Sequence, residues 1–210
     1  MSDSMPGSGL FDVWSRFYDE AAIQRFMYRP VHDAVLAEID LEPPARLLDL
    51  GCGTGLLTTR IRRERAVPSV TGADFSQGML DVASQSRPDI EWVRTNAGCL
   101  PFADESFDTI VSTEAFHWFP DQPRALRECC RVLAPGGRLL VALVHPDFAL
   151  IADTAGALSR LIGQPLVWPS RSKMREMLES AGLSVATQTR IWRPIGGVLL
   201  PPVLTVARKS

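Results

Sequence analysis

Apolar residues near the start of the chain recur with the three- or four-residue spacing of an amphipathic helix. One set runs from Phe11 to Ala21, and a second runs from Val31 to Ile39, after which Pro43 prevents the helix from continuing. The pattern predicts two amphipathic helices ahead of the first strand.

From residue 46 onwards, short apolar runs alternate with segments of helical periodicity. Such runs carry few charges and are typical of parallel strands that are covered by helices on both faces. The predicted strands are 46–50, 69–74, 90–93, 106–113 and 138–144, followed by a closing hairpin made of 183–191 and 198–207. A further helix is predicted over 123–133, with a glycine of the following Pro135-Gly136-Gly137 as its C-cap.

The first predicted strand leads directly into three alternating glycines, Gly51, Gly53 and Gly55. Glycine is required where the backbone adopts positive φ or lies directly against a ligand. The helix that follows directs its unpaired N–H groups and the positive end of its dipole towards the same loop. The pattern therefore predicts a strand, a ligand-binding turn and a helix.

Spacing distinguishes this loop from the dinucleotide-binding fingerprint, Gly-x-Gly-x-x-Gly. The position of the third glycine in that fingerprint is occupied here by Leu56. Asp49, two residues before the first glycine, would repel a pyrophosphate but could pair with a ligand ammonium group. A dinucleotide-dependent oxidoreductase is thus disfavoured, although it stays open as an alternative.

The segment Leu48-Asp49-Leu50-Gly51-Cys52-Gly53-Thr54-Gly55 resembles the first motif of the class I S-adenosylmethionine-dependent methyltransferases. Later motifs follow in the order of that family, over roughly residues 45–145. The resemblance implies an α/β fold of the Rossmann-like kind: a doubly wound, mostly parallel seven-stranded sheet with helices on both faces and an antiparallel hairpin at the end. It implies S-adenosyl-L-methionine as cofactor, bound in part by Asp49, Gly51, Cys52, Gly53 and Gly55.

Asp74 ends the second predicted strand about twenty residues beyond the glycine loop, an offset that places its carboxylate beside a ligand ribose. One carboxylate can accept hydrogen bonds from both ribose hydroxyls. The alternative is that Asp74 only caps the helix that begins near Ser76. The resemblance further implies that Phe75 and Met79 flank the adenine.

The third strand leads into Asn96-Ala97, where many enzymes of this family have Asp-Ala. The resemblance implies that residue 96 accepts a hydrogen bond from the adenine amine. An amide oxygen can still accept this bond, although without a charge. Asn96 and Ala97 are therefore expected at the adenine, and Thr113, at the end of the fourth strand, is also expected to bind cofactor.

Two histidines follow predicted strands at the edge where ligands bind in open α/β sheets. His117 comes after the fourth strand and His145 after the fifth. Either could be a general base, or His117 could only shape the pocket. Tyr18 and Trp118 are the candidate acceptor-binding residues, with ordinary packing as the alternative reading for both.

Length and composition favour a single intracellular domain without a membrane anchor. The chain has 210 residues and a net charge of −2, and the arginine cluster at 60–65 reads as the solvated face of a helix. No nucleic-acid partner, stable membrane insertion, disulfide or metal site is predicted, and we expect a cytoplasmic protein. We divide it into N-terminal helices that could form a lid (1–42), a cofactor-binding core (43–146) and a substrate-side segment with the closing hairpin (147–210).

The predicted function is methyl transfer to a small, apolar or lipid-like acceptor by in-line displacement. The motif spellings are most similar to those of quinone-, sterol- and lipid-modifying methyltransferases. A binding protein for the same cofactor that acts as a sensor or oligomer partner stays open, since no predicted residue is necessarily catalytic. A homo-oligomer is compatible with the sequence.

Overall fold

The structure is a computed structural model, and it describes residues 28–144, 167–192 and 201–210. Its helices and strands alternate along the chain. In order they are α1 (Arg29–Leu41), β1 (Arg46–Leu50), α2 (Leu56–Glu64), β2 (Ser69–Asp74), α3 (Gln77–Ser86), β3 (Glu91–Arg94), β4 (Phe107–Thr113), a 3₁₀ turn (Phe116–Trp118), α4 (Gln122–Val132), β5 (Leu133–Val144), α5 (Arg171–Ser180), β6 (Leu183–Arg190) and β7 (Pro202–Lys209).

The seven strands form one sheet in the order β3-β2-β1-β4-β5-β7-β6. Strands β1 to β5 are parallel, and β7 lies antiparallel between β5 and β6. The strand order reverses next to β1, so the carboxyl ends of β1, β2 and β4 meet at one edge of the sheet. This topology confirms the predicted fold, including the antiparallel closing strands.

Helices cover both faces of the sheet, because successive residues of a strand point to opposite sides. Leu47 of β1 packs in the core beneath α1 and α2, whereas Leu48 packs in the core beneath α4 and α5. Both side chains are fully buried. Burial on both faces explains why these strands are continuous apolar runs rather than alternating ones.

Side-chain caps set the start of three helices. Ser76 begins α3 by accepting the Met79 N–H at 3.2 Å, and Asp121 begins α4 by accepting the Arg124 N–H at 2.9 Å. Ser170 caps α5 in the same way. These caps fix the residue at which each helix begins.

The predicted end of α4 is wrong. Helix α4 ends at Val132 with an extended Leu133 as C-cap, not with a glycine, and β5 begins at once. Leu133 already pairs with Phe107, and the register then shifts before Arg138 pairs with Thr109. Because Leu133 is paired with β4, the chain leaves the helix early and the glycines fall within an irregular stretch of the strand.

At the amino end of the parallel strands, a buried arginine fastens α1 to the sheet. The Arg138 guanidinium donates to the carbonyls of Glu38 and Glu42 at the end of α1, and its Nε lies 3.7 Å from the Glu42 carboxylate. Glu42 also pairs with Arg208 of β7. Helix α1 is thus held by charge as well as by its apolar face.

Within the described ranges, none of the helices combines the length and apolarity needed to cross a bilayer. The arginine cluster lies on α2 as predicted. Arg60 pairs with Asp33 and Glu64, and Arg65 pairs with Asp40. Arg62 and Arg63 are exposed.

Candidate functional site

The glycine loop connects β1 to α2 in the left-handed conformation that its sequence predicts. Gly51, Gly53 and Gly55 have φ values of +77°, +54° and +77°. The N–H groups of Gly51 and Cys52 both donate to the Ala73 carbonyl, at 2.7 and 3.1 Å, which ties the loop to β2. The loop is therefore a fixed feature of the sheet edge.

The three glycines serve different purposes. A Cβ at Gly55 would lie 2.4 Å from the Trp92 ring, and one at Gly51 would lie 2.4 Å from the Ala115 Cβ. A Cβ at Gly53 would meet no atom of the described residues within 4 Å. Packing therefore demands glycine at positions 51 and 55, whereas Gly53 presents bare backbone to open space.

Asp49 lies beneath this loop and is completely buried. Its Oδ2 accepts a 2.6 Å hydrogen bond from the Thr58 hydroxyl, and its Oδ1 has no hydrogen-bond partner among the described residues. Burial raises the pKa of Asp49 to about 7, and the nearby Asp74 carboxylate adds to this effect. A buried carboxylate without a cation is costly, which makes Asp49 the least satisfied charge at this edge.

Asp74 ends β2 and receives two backbone hydrogen bonds. Its Oδ2 accepts the Gly53 N–H at 2.8 Å and its Oδ1 accepts the Ser76 N–H at 2.9 Å. The cap of α3 is Ser76, so Asp74 is not the capping residue. Burial raises the pKa of Asp74, and the backbone N–H groups of Ser76, Gly53 and Phe75 oppose that rise.

The residues expected around an adenine lie on the loops after β2 and β3. Phe75 is half-buried beneath the Arg94 guanidinium, which is 5.7 Å from the ring centroid, whereas Met79 is buried on α3. The exposed Asn96 accepts the Gly98 N–H at 2.8 Å with its amide oxygen, and Ala97 beside it is buried. The side chain of Asn96 is thus oriented by its own loop before any ligand binds.

Two further predicted residues complete this edge. Burial raises the pKa of the Cys52 thiol, so that it stays protonated, and its Sγ lies 3.8 Å from the Gly53 carbonyl. Thr113 is the half-buried last residue of β4 and pairs with Ala142. Glu114, which follows it, has a φ of +51°, an uncommon conformation for a residue with a side chain.

His117 lies in the 3₁₀ turn after β4, within a cluster of aromatic rings. Its ring stacks on Trp168, with 5.3 Å between centroids and 17° between planes, and it lies against Trp118 at 5.3 Å. Burial lowers the pKa of His117 to about 4, so the imidazole is neutral near pH 7. Its Nδ1 is buried and has no hydrogen-bond partner in the part of the chain that the structure describes.

Residues on either side of the 3₁₀ turn contact the glycine loop. Gly51 packs against Ala115 and against the ring of Phe119, which in turn lies 5.4 Å from Phe116 between centroids. The loop and the segment that carries His117 therefore lie next to each other. Tyr18 and His145 lie outside the described residues.

Two residues of this edge were not predicted. Thr58 lies in the first turn of α2, nine positions after Asp49, and the only signal for it in the sequence is a hydroxyl residue at that position. Trp92 packs on Gly55 and on Gly72, where an added Cβ would lie 2.3 Å from its ring. Paired glycines on neighbouring elements indicate a bulky neighbour, but not which one. Among the described residues, no cluster of His, Cys, Asp and Glu could hold a metal ion.

Comparison with known proteins identifies the family. The profile of the family described as "Methyltransferase domain" matches residues 48–141. The demethylmenaquinone methyltransferase of Thermus thermophilus is 31% identical over 199 residues, which cover 83% of this chain and 88% of that protein. The chain belongs to the class I S-adenosylmethionine-dependent methyltransferases. Membership confirms the predicted family and its cofactor, S-adenosyl-L-methionine.

Other relatives of the methyltransferase match over shorter spans. The malonyl-[acyl-carrier protein] O-methyltransferase of Methylococcus capsulatus is 42% identical over 118 residues, covering 54% of this chain and 43% of that protein. The chain spans 25% to 47% of the length of three such relatives. Among solved structures, the putative methyltransferase of Haloferax volcanii in complex with the Trm112 methyltransferase activator superposes with a TM-score of 0.78 at 24% identity, covering 94% of this chain and 96% of that one.

The site fits the cofactor of this family on three structural grounds. The buried Oδ1 of Asp49 lacks a partner among the described residues, Gly53 faces open space, and the half-buried Asp74 lies at the end of β2 next to the loop. An amino acid linked to adenosine offers an ammonium group and ribose hydroxyls, which are the groups that two carboxylates can bind.

Proposed function

We propose that this methyltransferase transfers a methyl group from S-adenosyl-L-methionine to a small, apolar or lipid-like acceptor by in-line displacement, which releases S-adenosylhomocysteine. The observation that carries the proposal is the contact between the glycine loop and the aromatic segment through Gly51, Ala115 and Phe119. This contact supports an acceptor pocket beside the cofactor. An aromatic wall with a buried imidazole nitrogen suits an acceptor that is mostly apolar.

The cofactor roles follow from the polar groups at the edge. Asp49 would take the ammonium group with its Oδ1, and Asp74 would take the ribose hydroxyls. Asn96 and Ala97, with Phe75 and Met79, would surround the adenine. The remaining wall of the cofactor site would consist of backbone and small side chains, from Gly51, Cys52, Gly53, Gly55 and Thr113.

The bound cofactor supplies a sulfonium methyl group that is already electrophilic. What the chain must add is alignment and exclusion of water. Trp118 and Trp168, whose rings lie against His117, would serve that purpose. Because His117 is neutral and its Nδ1 is unpaired within the described residues, it would accept a hydrogen bond from the attacking group of the acceptor and so orient it. The proton of that group would pass to water once the methyl group is transferred.

Calorimetric titration tests the cofactor part of the proposal. S-adenosylmethionine and S-adenosylhomocysteine should bind at micromolar concentrations, and Asp74→Ala should weaken both at least tenfold because the ribose loses its acceptor. Asp81→Ala removes an exposed carboxylate on the adjacent α3 and should leave binding unchanged. Failure of either adenosyl ligand to bind, or a response to NADH alone, would refute the proposal.

A panel of acceptors tests the transfer itself. The relatives' names suggest that it include a naphthoquinol and a malonyl thioester. The aromatic cluster favours the quinol or another apolar acceptor. Tight cofactor binding without transfer to any acceptor would favour a binding protein that acts as a sensor.

Substitutions of His117 test its role. His117→Phe keeps the stacked ring but removes Nδ1, and should lower kcat about tenfold or more with the cofactor Kd unchanged. His117→Asn returns an acceptor near the position of Nδ1 and should recover part of the rate. The wild-type rate should not vary with His117 ionisation between pH 6 and 8, because its pKa is about 4. Equal kcat in His117→Phe would remove His117 from the mechanism.

Several expectations stay predictions. They are the role of His145 as a base, the contact of Tyr18 with the acceptor, the lid, the three-part division of the chain and the cytoplasmic location. They concern residues or properties beyond the described site. A homo-oligomer likewise stays open to measurement by light scattering.

A further inference from the structure

The buried carboxylate of Asp49 is isolated from the cations of the described residues. The influences on its pKa come from burial, from Thr58 and from the Asp74 carboxylate, and none of these is a lysine, arginine or histidine. Buried charges in proteins are normally paired. Asp49 therefore lacks a counter-charge within the described residues, and a cationic group of a ligand would supply one.

Thr58 is the side chain that hydrogen-bonds this carboxylate. It is fully buried on α2, and its Oγ1 donates to Asp49 Oδ2 at 2.6 Å. The hydroxyl and the backbone N–H of Thr58 both favour the ionised carboxylate and so oppose the effect of burial on the pKa of Asp49. A β-branched residue within a helix has few accessible rotamers, so this contact also fixes the orientation of the carboxylate.

The two carboxylate oxygens of Asp49 differ in their hydrogen bonds. Oδ2 is held by Thr58, and Oδ1 is left without a partner in the described part of the chain. If Thr58 did not occupy Oδ2, the carboxylate could rotate about its terminal bond, because such torsions are broad. The threonine thus determines which oxygen is presented.

We propose that Thr58 is a positioning residue for the cofactor. Its hydroxyl holds the Asp49 carboxylate so that Oδ1 receives the ammonium group at the amino-acid end of the cofactor. This inference rests on the proposed function. It assigns Thr58 an effect on one end of the ligand only. The adenosine end, bound by Asp74 and the loops after β2 and β3, should be indifferent to it.

The test compares two ligands that share adenosine and a thioether. S-adenosylhomocysteine carries the amino-acid end, and 5′-methylthioadenosine lacks it. In calorimetric titrations, Thr58→Val should raise the Kd of S-adenosylhomocysteine about tenfold and that of 5′-methylthioadenosine less than about twofold. Thr58→Ser keeps the hydroxyl and should restore most of the affinity for S-adenosylhomocysteine.

Thr59→Val is the matched control, because it makes the same change on the next residue of α2, whereas the hydroxyl bonded to Asp49 is that of Thr58. It should leave both affinities unchanged, and thermal unfolding should show that all variants are folded. An equal loss for both ligands in Thr58→Val would overturn the positioning role, as would no loss for either. If the wild-type protein binds neither ligand, the proposed function fails as well, and that result is distinct from wild-type binding with an unaffected variant.

Discussion

The buried charges at the two ends of the sheet differ in the partners that surround them. At the amino end, the Arg138 guanidinium is 2% exposed and binds two helix carbonyls beside a carboxylate. At the carboxyl end, the Asp49 carboxylate is 0% exposed and has one hydroxyl and no cation among the described residues. The first charge has two carbonyl acceptors and a carboxylate within the fold, although its Nε has no hydrogen-bond partner, and the second has no counter-charge among the described residues.

The difference separates structural residues from binding residues without reference to any relative. Removing one member of a satisfied buried network leaves its partners unpaired and destabilises the fold. Removing a charge that the fold does not satisfy relieves a desolvation cost and impairs only what binds there. The three predictions below test this contrast, from the largest expected effect to the smallest.

Arg138→Met should cause the largest loss of stability. The carbonyls of Glu38 and Glu42 would lose their donor, and Glu42 would keep its pairing with Arg208. We expect the free energy of unfolding in urea to fall by about 3 kcal/mol or more. The Kd for S-adenosylhomocysteine of the folded protein should not change, and a weakened Kd would show that the two ends are coupled.

Gly55→Ala and Gly53→Ala should differ although both replace a left-handed glycine. At Gly55 the new methyl group would overlap the Trp92 ring, so strain and overpacking should together cost about 2–3 kcal/mol. At Gly53 only the backbone strain of roughly 1 kcal/mol applies. Cofactor affinity should fall more in Gly53→Ala, since its methyl group would stand where the ligand approaches. Equal losses of stability would contradict the distinction between the two glycines.

Asp49→Asn should weaken S-adenosylhomocysteine at least tenfold and yet stabilise the apoprotein at pH 8 by roughly 1–2 kcal/mol. The pKa of Asp49 is about 7 when folded, above its ordinary value of 3.8. The folded wild type therefore binds more protons than the unfolded chain in this interval, and it loses stability as the pH rises from about 4 to 7.

The advantage of the Asp49→Asn variant in urea unfolding should accordingly shrink as the pH falls from 8 to 5. The buried His32 and His117, whose pKa values are both lowered to about 4, act in the opposite direction but are present in both proteins. Their effect cancels in the difference. A variant that is less stable than the wild type at pH 8 would show that the carboxylate has a structural role.

Much of the fold could be predicted because its signals are local. The strands are apolar runs that end in turn residues, and the glycine spacing fixes the turn after β1. Asp49 and Asp74 could be assigned to the same edge because the carboxyl ends of adjacent parallel strands meet. The identity of the cofactor was predicted from the resemblance to the methyltransferase family.

The rest depended on contacts between distant parts of the chain. His117 stacks on Trp168, which no local pattern indicates, and burial makes the histidine a weaker base than its sequence position alone suggests. The end of α4 was misplaced because Leu133 pairs with Phe107 of β4, a long-range contact that overrides the glycine signal. Thr58 was not predicted because its role depends on its hydrogen bond to Asp49, a contact that the sequence pattern does not indicate.

The place of β7 in the sheet has a consequence for the order of assembly. Residues 202–209 insert between β5 and β6, both of which precede them in the chain. While the polypeptide is being synthesised, β5 has an open apolar edge and β6 lacks its partner strand until residues 202–209 emerge. The nascent chain thus exposes an edge that invites pairing with other chains. The sheet is complete only after β7 has paired with β5 on one edge and β6 on the other.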